Sequence, residues 1–149
     1  MTKQILWLDN DLPYIRPYVN TLKAKGYDVH IVSSLTQAEN ILEQAKTPFD
    51  LIIIDVMVPT ADEAELENYP VEATDYGHKS GLVFYNRIKK KYGSRLPPVA
   101  VTTVRLDQGI RDEFVNSGLN EEHFLTKYDV RDAGDFLKRI RPMLEKSEQ

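Results

Sequence analysis

The sequence predicts an α/β fold: a doubly wound, five-stranded parallel sheet with helices on both faces. Three observations lead there. Short apolar runs of strand length alternate with longer segments of helical periodicity, five of each. The central run, Leu51-Ile52-Ile53-Ile54, is apolar at every position, as in a parallel strand covered on both sides. The first and third runs end in acidic residues, Asp9-Asn10-Asp11 and Asp55. An ionisable group at the end of such a strand emerges at the carboxyl edge of the sheet, where open α/β folds place their ligands.

The elements follow in order. Residues 4–8 read as a strand. Residues 12–25 carry apolar side chains at 12, 15, 18, 19 and 22, one helical face, with Gly26 as the stop. Pro13 suits a first turn, whereas Pro17 one turn later predicts a late or kinked start. A strand at 27–32 leads to a helix at 34–46, capped by Ser34 or Thr36, with Leu35, Ala38, Ile41, Leu42 and Ala45 on one face. The central strand spans 50–56. A helix at 80–92 ends in Lys89-Lys90-Lys91, whose cations suit its dipole, and at Gly93. A strand at 98–103, a helix at 108–117 stopped by Gly118, a strand at 123–127 and a helix at 130–146 complete the pattern, with Pro142 expected to kink or shorten the last helix. Residues 60–79 break the alternation. They hold six acids (Asp62, Glu63, Glu65, Glu67, Glu72 and Asp75) with little apolar periodicity, and read as a long loop, functional or disordered.

Bulk properties narrow the function. The chain of 149 residues is expected to form one domain over 1–149, with ordinary apolar and charged fractions. A net charge of −4 argues against nucleic acid and anionic membranes as partners. With no cysteine, disulfides, thiol catalysis and cysteine metal sites are excluded. The start of the chain lacks signal-peptide character, and no apolar run approaches the roughly 18 residues of a membrane span. A cytoplasmic protein is expected. His30, His78 and His123 show no ligand spacing. The two acidic strand ends, brought together, would form a divalent-cation site with a carboxylate beside it.

In order and residue type the chain resembles a response regulator receiver domain, the phosphoacceptor module of two-component signalling, over about residues 3 to 145. The residues carrying the resemblance are Asp9-Asn10-Asp11 after the first strand, Asp55 ending the third, Pro59 four residues on, Gly81 opening the next helix, Thr103 ending the fourth strand, and Phe124 and Lys127 on the fifth. The resemblance implies a flavodoxin-like sheet order of 2-1-3-4-5. It implies Asp55 as phosphoacceptor, and Mg²⁺ held by Asp9, Asn10, Asp55 and the Met57 carbonyl, with Asp11 as a further candidate. Thr103 and Lys127 would contact the phosphoryl group, and Phe124 would be the aromatic switch. The implied partners are a sensor histidine kinase or histidine phosphotransfer protein and a downstream protein. Only a few polar residues follow the last helix, so a stand-alone regulator or phosphorelay intermediate is expected.

The sequence also departs from the family pattern. Asn10 replaces an acid and removes one negative charge from the metal site. Val104 stands where a small residue is usual, narrowing donor access. Tyr128 stands where the family has a proline after a cis bond; without proline that bond costs about 3 kcal/mol, so a trans peptide is expected. The 60–79 segment is longer than the family's usual loop. These departures keep open a phosphorylation-independent pseudo-receiver that binds a protein partner. The segment 5–11 also resembles the first motif of haloacid dehalogenase-type phosphatases, with Asp9 as nucleophile and Asp11 as general acid, but lacks the Gly-Thr expected after it.

Overall fold

The computed structural model describes residues 2–60, 63–104, 108–126, 130 and 132–146. Strands β1 (Gln4–Leu8), β2 (Asp28–Val32), β3 (Leu51–Asp55), β4 (Val99–Thr103) and β5 (Phe124–Thr126) form one parallel sheet in the order β2-β1-β3-β4-β5. Helices α1 (Leu12–Ala24), α2 (Leu35–Gln44), α3 (Glu63–Asn68), α4 (Val71–Thr74), α5 (Ser80–Tyr92), α6 (Gln108–Asn116) and α7 (Ala133–Lys146) surround it.

The alternation of side chains along each strand divides the core into two layers. Ile5, Trp7, Leu51, Ile53, Ala100 and Leu125 face α1 and α7, packing on Ile15, Val19, Phe136 and Ile140. Leu6, Leu8, Ile52, Ile54, Val99 and Val101 face α2, α5 and α6, packing on Leu35, Phe84, Ile88 and Phe114. Every residue of β3 is buried, which is why the run of apolar side chains shows no polar alternation.

Local chemistry sets the helix starts. The Asp11 carboxylate accepts the Tyr14 N–H and caps α1, with proline in the first turn. Ser34 caps α2 by accepting from Gln37 N. Pro17 and Pro142 lie inside α1 and α7, and both helices run through them on exposed positions instead of shortening there. Several elements begin or end one or two residues from where the sequence reading put them, and the last strand and helix both start later. Residues 121–123 form a 3-10 turn, so β5 begins at Phe124. The last helix begins at Ala133 and leaves Val130 as a buried residue ahead of it.

The largest difference is in 60–79. Where a long loop was expected, its described residues include two short helices, α3 and α4, followed by turns that lead into α5. The chain leaves β3 and returns to α5 at one point. Val58 N donates to Ser80 Oγ at 2.8 Å, and the same hydroxyl donates to Val58 O at 2.6 Å. Ser80 is fully buried, so Ser80→Ala orphans two backbone groups at once. The expected loss is about 2 kcal/mol, read as a lower urea midpoint with unchanged slope.

Candidate functional site

The carboxyl edge of the sheet gathers the acidic strand ends. Leu8 pairs with Ile54, so Asp9, one residue further, comes alongside Asp55. Asp9 is fully buried and Asp55 nearly so. The Asp9 carboxylate accepts the Asp11 N–H at 2.8 Å, and the Asp55 carboxylate accepts the Met57 N–H at 3.3 Å. Two buried carboxylates at neighbouring strand ends call for positive charge between them. Among the described residues no three acidic or histidine side chains converge as a metal set. A cation here would therefore draw on these two carboxylates together with neutral oxygens, a donor set that suits Mg²⁺.

The other predicted residues fall as follows. Asn10 is exposed between β1 and α1. Asp11 is exposed and engaged in capping α1. Met57 is half-buried in the turn after Asp55. Thr103 ends β4 and is buried, on the strand face that carries Val99 and Val101. Asp55 lies in register with Thr102, the residue before Thr103, on the α1/α7 side. Phe124 pairs in register with Val101, is buried, and packs on Phe114 with centroids 5.8 Å apart. Val104 is exposed beside Thr103. Lys127 and Tyr128 lie outside the described residues. The histidines occupy separate places, with His123 Nδ1 3.0 Å from Val99 O.

Gly81 explains itself in the structure. Its N–H donates to Val56 O at 2.9 Å, so the start of α5 abuts the backbone of the Asp55 strand end. A methyl group there would overlap the Asp55 carbonyl oxygen, at 2.2 Å.

Sequence reasoning missed the polar clamp that fixes α3 to the flank of this edge. Glu65 is 2% exposed and accepts the Ser34 hydroxyl at 2.9 Å. Tyr69 is fully buried, and its hydroxyl donates to Glu39 Oε2 at 2.6 Å. Arg87 grips the same carboxylate through Nε and Nη2, with a shortest distance of 3.0 Å, and lies 5.3 Å from the Tyr69 ring centre. One carboxylate of α2 thereby joins α5 to the residue that follows α3. Burial first, then the hydrogen bond and charge of Glu39, push the Tyr69 phenol well above its usual range, with Arg87 opposing. A raised phenol contributes stability that is full below the unfolded pKa of about 10 and is lost as pH rises towards the folded value. Tyr14, Tyr85 and Tyr92 are raised as well. The denaturant midpoint is therefore expected to fall above about pH 10, and Tyr69→Phe to remove one share of that fall.

No protein-family model matches the chain, and no curated protein does at a significant level. Solved structures do. The parallel sheet in the order 2-1-3-4-5, with helices on both sides, is the fold of response regulator receiver domains. Among the similar structures is a CheY-like receiver domain protein from Methanospirillum hungatei JF-1, with TM-score 0.73, 18% identity, 99% of this chain and 98% of that one covered. A second is the signal receiver domain of an HD domain-containing protein from Pseudomonas fluorescens Pf-5, with TM-score 0.73, 21% identity and coverages of 99% and 98%. A third is a response regulator from Thermotoga maritima, with TM-score 0.69, 18% identity and coverages of 97% and 99%. Among the described residues, no helix is long and apolar enough to cross a membrane.

Proposed function

We propose that this chain is a phosphoacceptor receiver module, modified on Asp55 and read by a partner protein. The observation that carries this reading is the placement of Asp9 and Asp55 side by side, both buried, at the carboxyl edge of a receiver-type sheet. In the reaction, an Asp55 carboxylate oxygen attacks the donor's phosphorus. The bond from phosphorus to the donor nitrogen or oxygen breaks, and the leaving group carries away that electron pair. Catalysis of this kind is mostly positioning and charge neutralisation. Asp9, Asn10, Asp55 and the Met57 carbonyl are the groups to hold Mg²⁺, which when bound neutralises phosphoryl oxygens. Lys127 adds a second positive charge. Thr103, at the end of β4, donates its hydroxyl to the new phosphoryl group, and Phe124, packed under α6, responds to that movement. The donor is a histidine kinase or histidine phosphotransfer protein, and the output is a two-state change read by a protein.

Intact-mass measurement after incubation with acetyl phosphate tests this reading. Wild type with Mg²⁺ is expected to gain one phosphate, and Asp55→Asn or omission of Mg²⁺ to abolish the gain. Unmodified wild type, with amide resonances near Asp55 also unmoved by fluoroberyllate, would reject it in favour of a phosphate-independent binding module.

A further inference from the structure

Two buried polar groups on the α1/α7 side of the sheet have no protein partner among the described residues: Trp7 Nε1 and Thr102 Oγ1. Trp7 is 2% exposed and Thr102 4%. Leaving an indole N–H and a hydroxyl unpaired in such a place is costly. Both residues line the same cavity, whose walls include Tyr18, Leu125 and Phe136. Its volume is about 10 Å³, the room that one water molecule needs. The Trp7 ring is fixed there, stacked on Phe136 at 5.3 Å, while Phe136 meets Tyr18 edge-on, also at 5.3 Å.

We infer that this cavity is a binding site for one ordered water that bridges Trp7 and Thr102. The chemistry selects water. An indole N–H only donates, so the occupant must accept a hydrogen bond, which a metal cation cannot do. A threonine hydroxyl donates or accepts, and water serves either need. The bridge has a consequence for the acceptor. Trp7 lies on β1 two residues before Asp9, and Thr102 is the register partner of Asp55 on β4, with β3 between them. The water would link β1 to β4 across β3, on the face of the sheet that carries Asp55. Thr102 is thus a positioning residue for Asp55, acting through the water. That consequence rests on the phosphoacceptor reading, whereas the water site does not.

Thr102→Val keeps the branched shape and removes the hydroxyl, while Thr102→Ser keeps the hydroxyl. Trp7 is the only tryptophan, so its emission reports the cavity directly. A crystal structure of the full chain is expected to show a water oxygen within hydrogen-bond distance of both atoms. Thr102→Val is expected to shift the Trp7 emission and to slow labelling of Asp55 by acetyl phosphate about 3- to 10-fold, the worth of one hydrogen bond. Thr102→Ser is expected to restore both. A dry cavity in wild type, or emission unmoved by Thr102→Val, overturns the site. A bound water with an unchanged labelling rate overturns the positioning role. Wild type that takes no label overturns that role together with the phosphoacceptor reading, while crystallography and emission decide the water site on their own.

Discussion

Gly81→Ala is expected to destabilise the protein by about 3 kcal/mol and to displace the Asp55 strand end. The added methyl group would lie 2.2 Å from the Asp55 carbonyl oxygen and 2.9 Å from Val56 Cα. Both are backbone atoms, so no flexible side chain can swing aside. Relief requires α5 to retreat from β3. That movement stretches the Gly81–Val56 hydrogen bond and the paired Ser80–Val58 bonds on the same turn. Urea denaturation measures the cost, and amide shifts at residues 55–58 measure the displacement. A variant within about 1 kcal/mol of wild type, with those resonances in place, would show that the junction yields easily and that the close approach has no energetic weight.

Tyr69→Ala is expected to cost about 3–5 kcal/mol and to release α3 from the α2/α5 flank. The substitution empties a fully buried aromatic site, strands the Glu39 carboxylate on one side, and removes the ring beneath Arg87. Tyr69→Phe separates these effects. It keeps the ring and removes the hydroxyl, while Arg87 still holds Glu39, so about 1–2 kcal/mol is expected. Glutamyl endopeptidase provides a local readout because Glu63, Glu67 and Glu72 are exposed on α3 and α4. Their cleavage should accelerate strongly in Tyr69→Ala and little in Tyr69→Phe. Equal protection in all three proteins would mean that the segment is held by something other than this clamp.

The parts of the fold that sequence exposes are those whose physics is local and apolar. The β3 run and the helical faces of α1, α2 and α7 bury apolar side chains at fixed spacing, and the structure packs them into the core where that spacing predicts, apart from Leu12, which is exposed at the start of α1. The acidic strand ends were legible for a related reason: a carboxylate at the end of a doubly covered strand has few structural explanations. α3 and α4 were not legible because they bury the wrong chemistry for a hydropathy pattern. Their buried positions are a carboxylate, Glu65, and a hydroxyl, Thr74, with the phenol of Tyr69 between them in the same segment. Glu65 and Tyr69 are held by partners distant in sequence, Ser34 at 31 residues and Glu39 at 30 residues, while Thr74 bonds locally to Pro70 O and Gly77 N–H. The four-residue spacing of Glu65 and Tyr69 was the one local hint. Thr102 was hidden by its neighbour. Sequence alone marks Thr103 as the end of the strand, and only the β3–β4 register shows which threonine stands beside Asp55.

The reciprocal bonds between Val58 and Ser80 bear on how much change the chain can absorb after β3. They close a ring at the base of the excursion, so the two ends of residues 59–79 stay together whatever lies between them. Chain-closure entropy grows only slowly with the length of such a ring. Residues inserted there over evolutionary time would leave the sheet and Asp55 undisturbed and would tax stability little. The junction is therefore a natural grafting point, at which this architecture can acquire new surface next to its chemistry while the strands beneath keep their register.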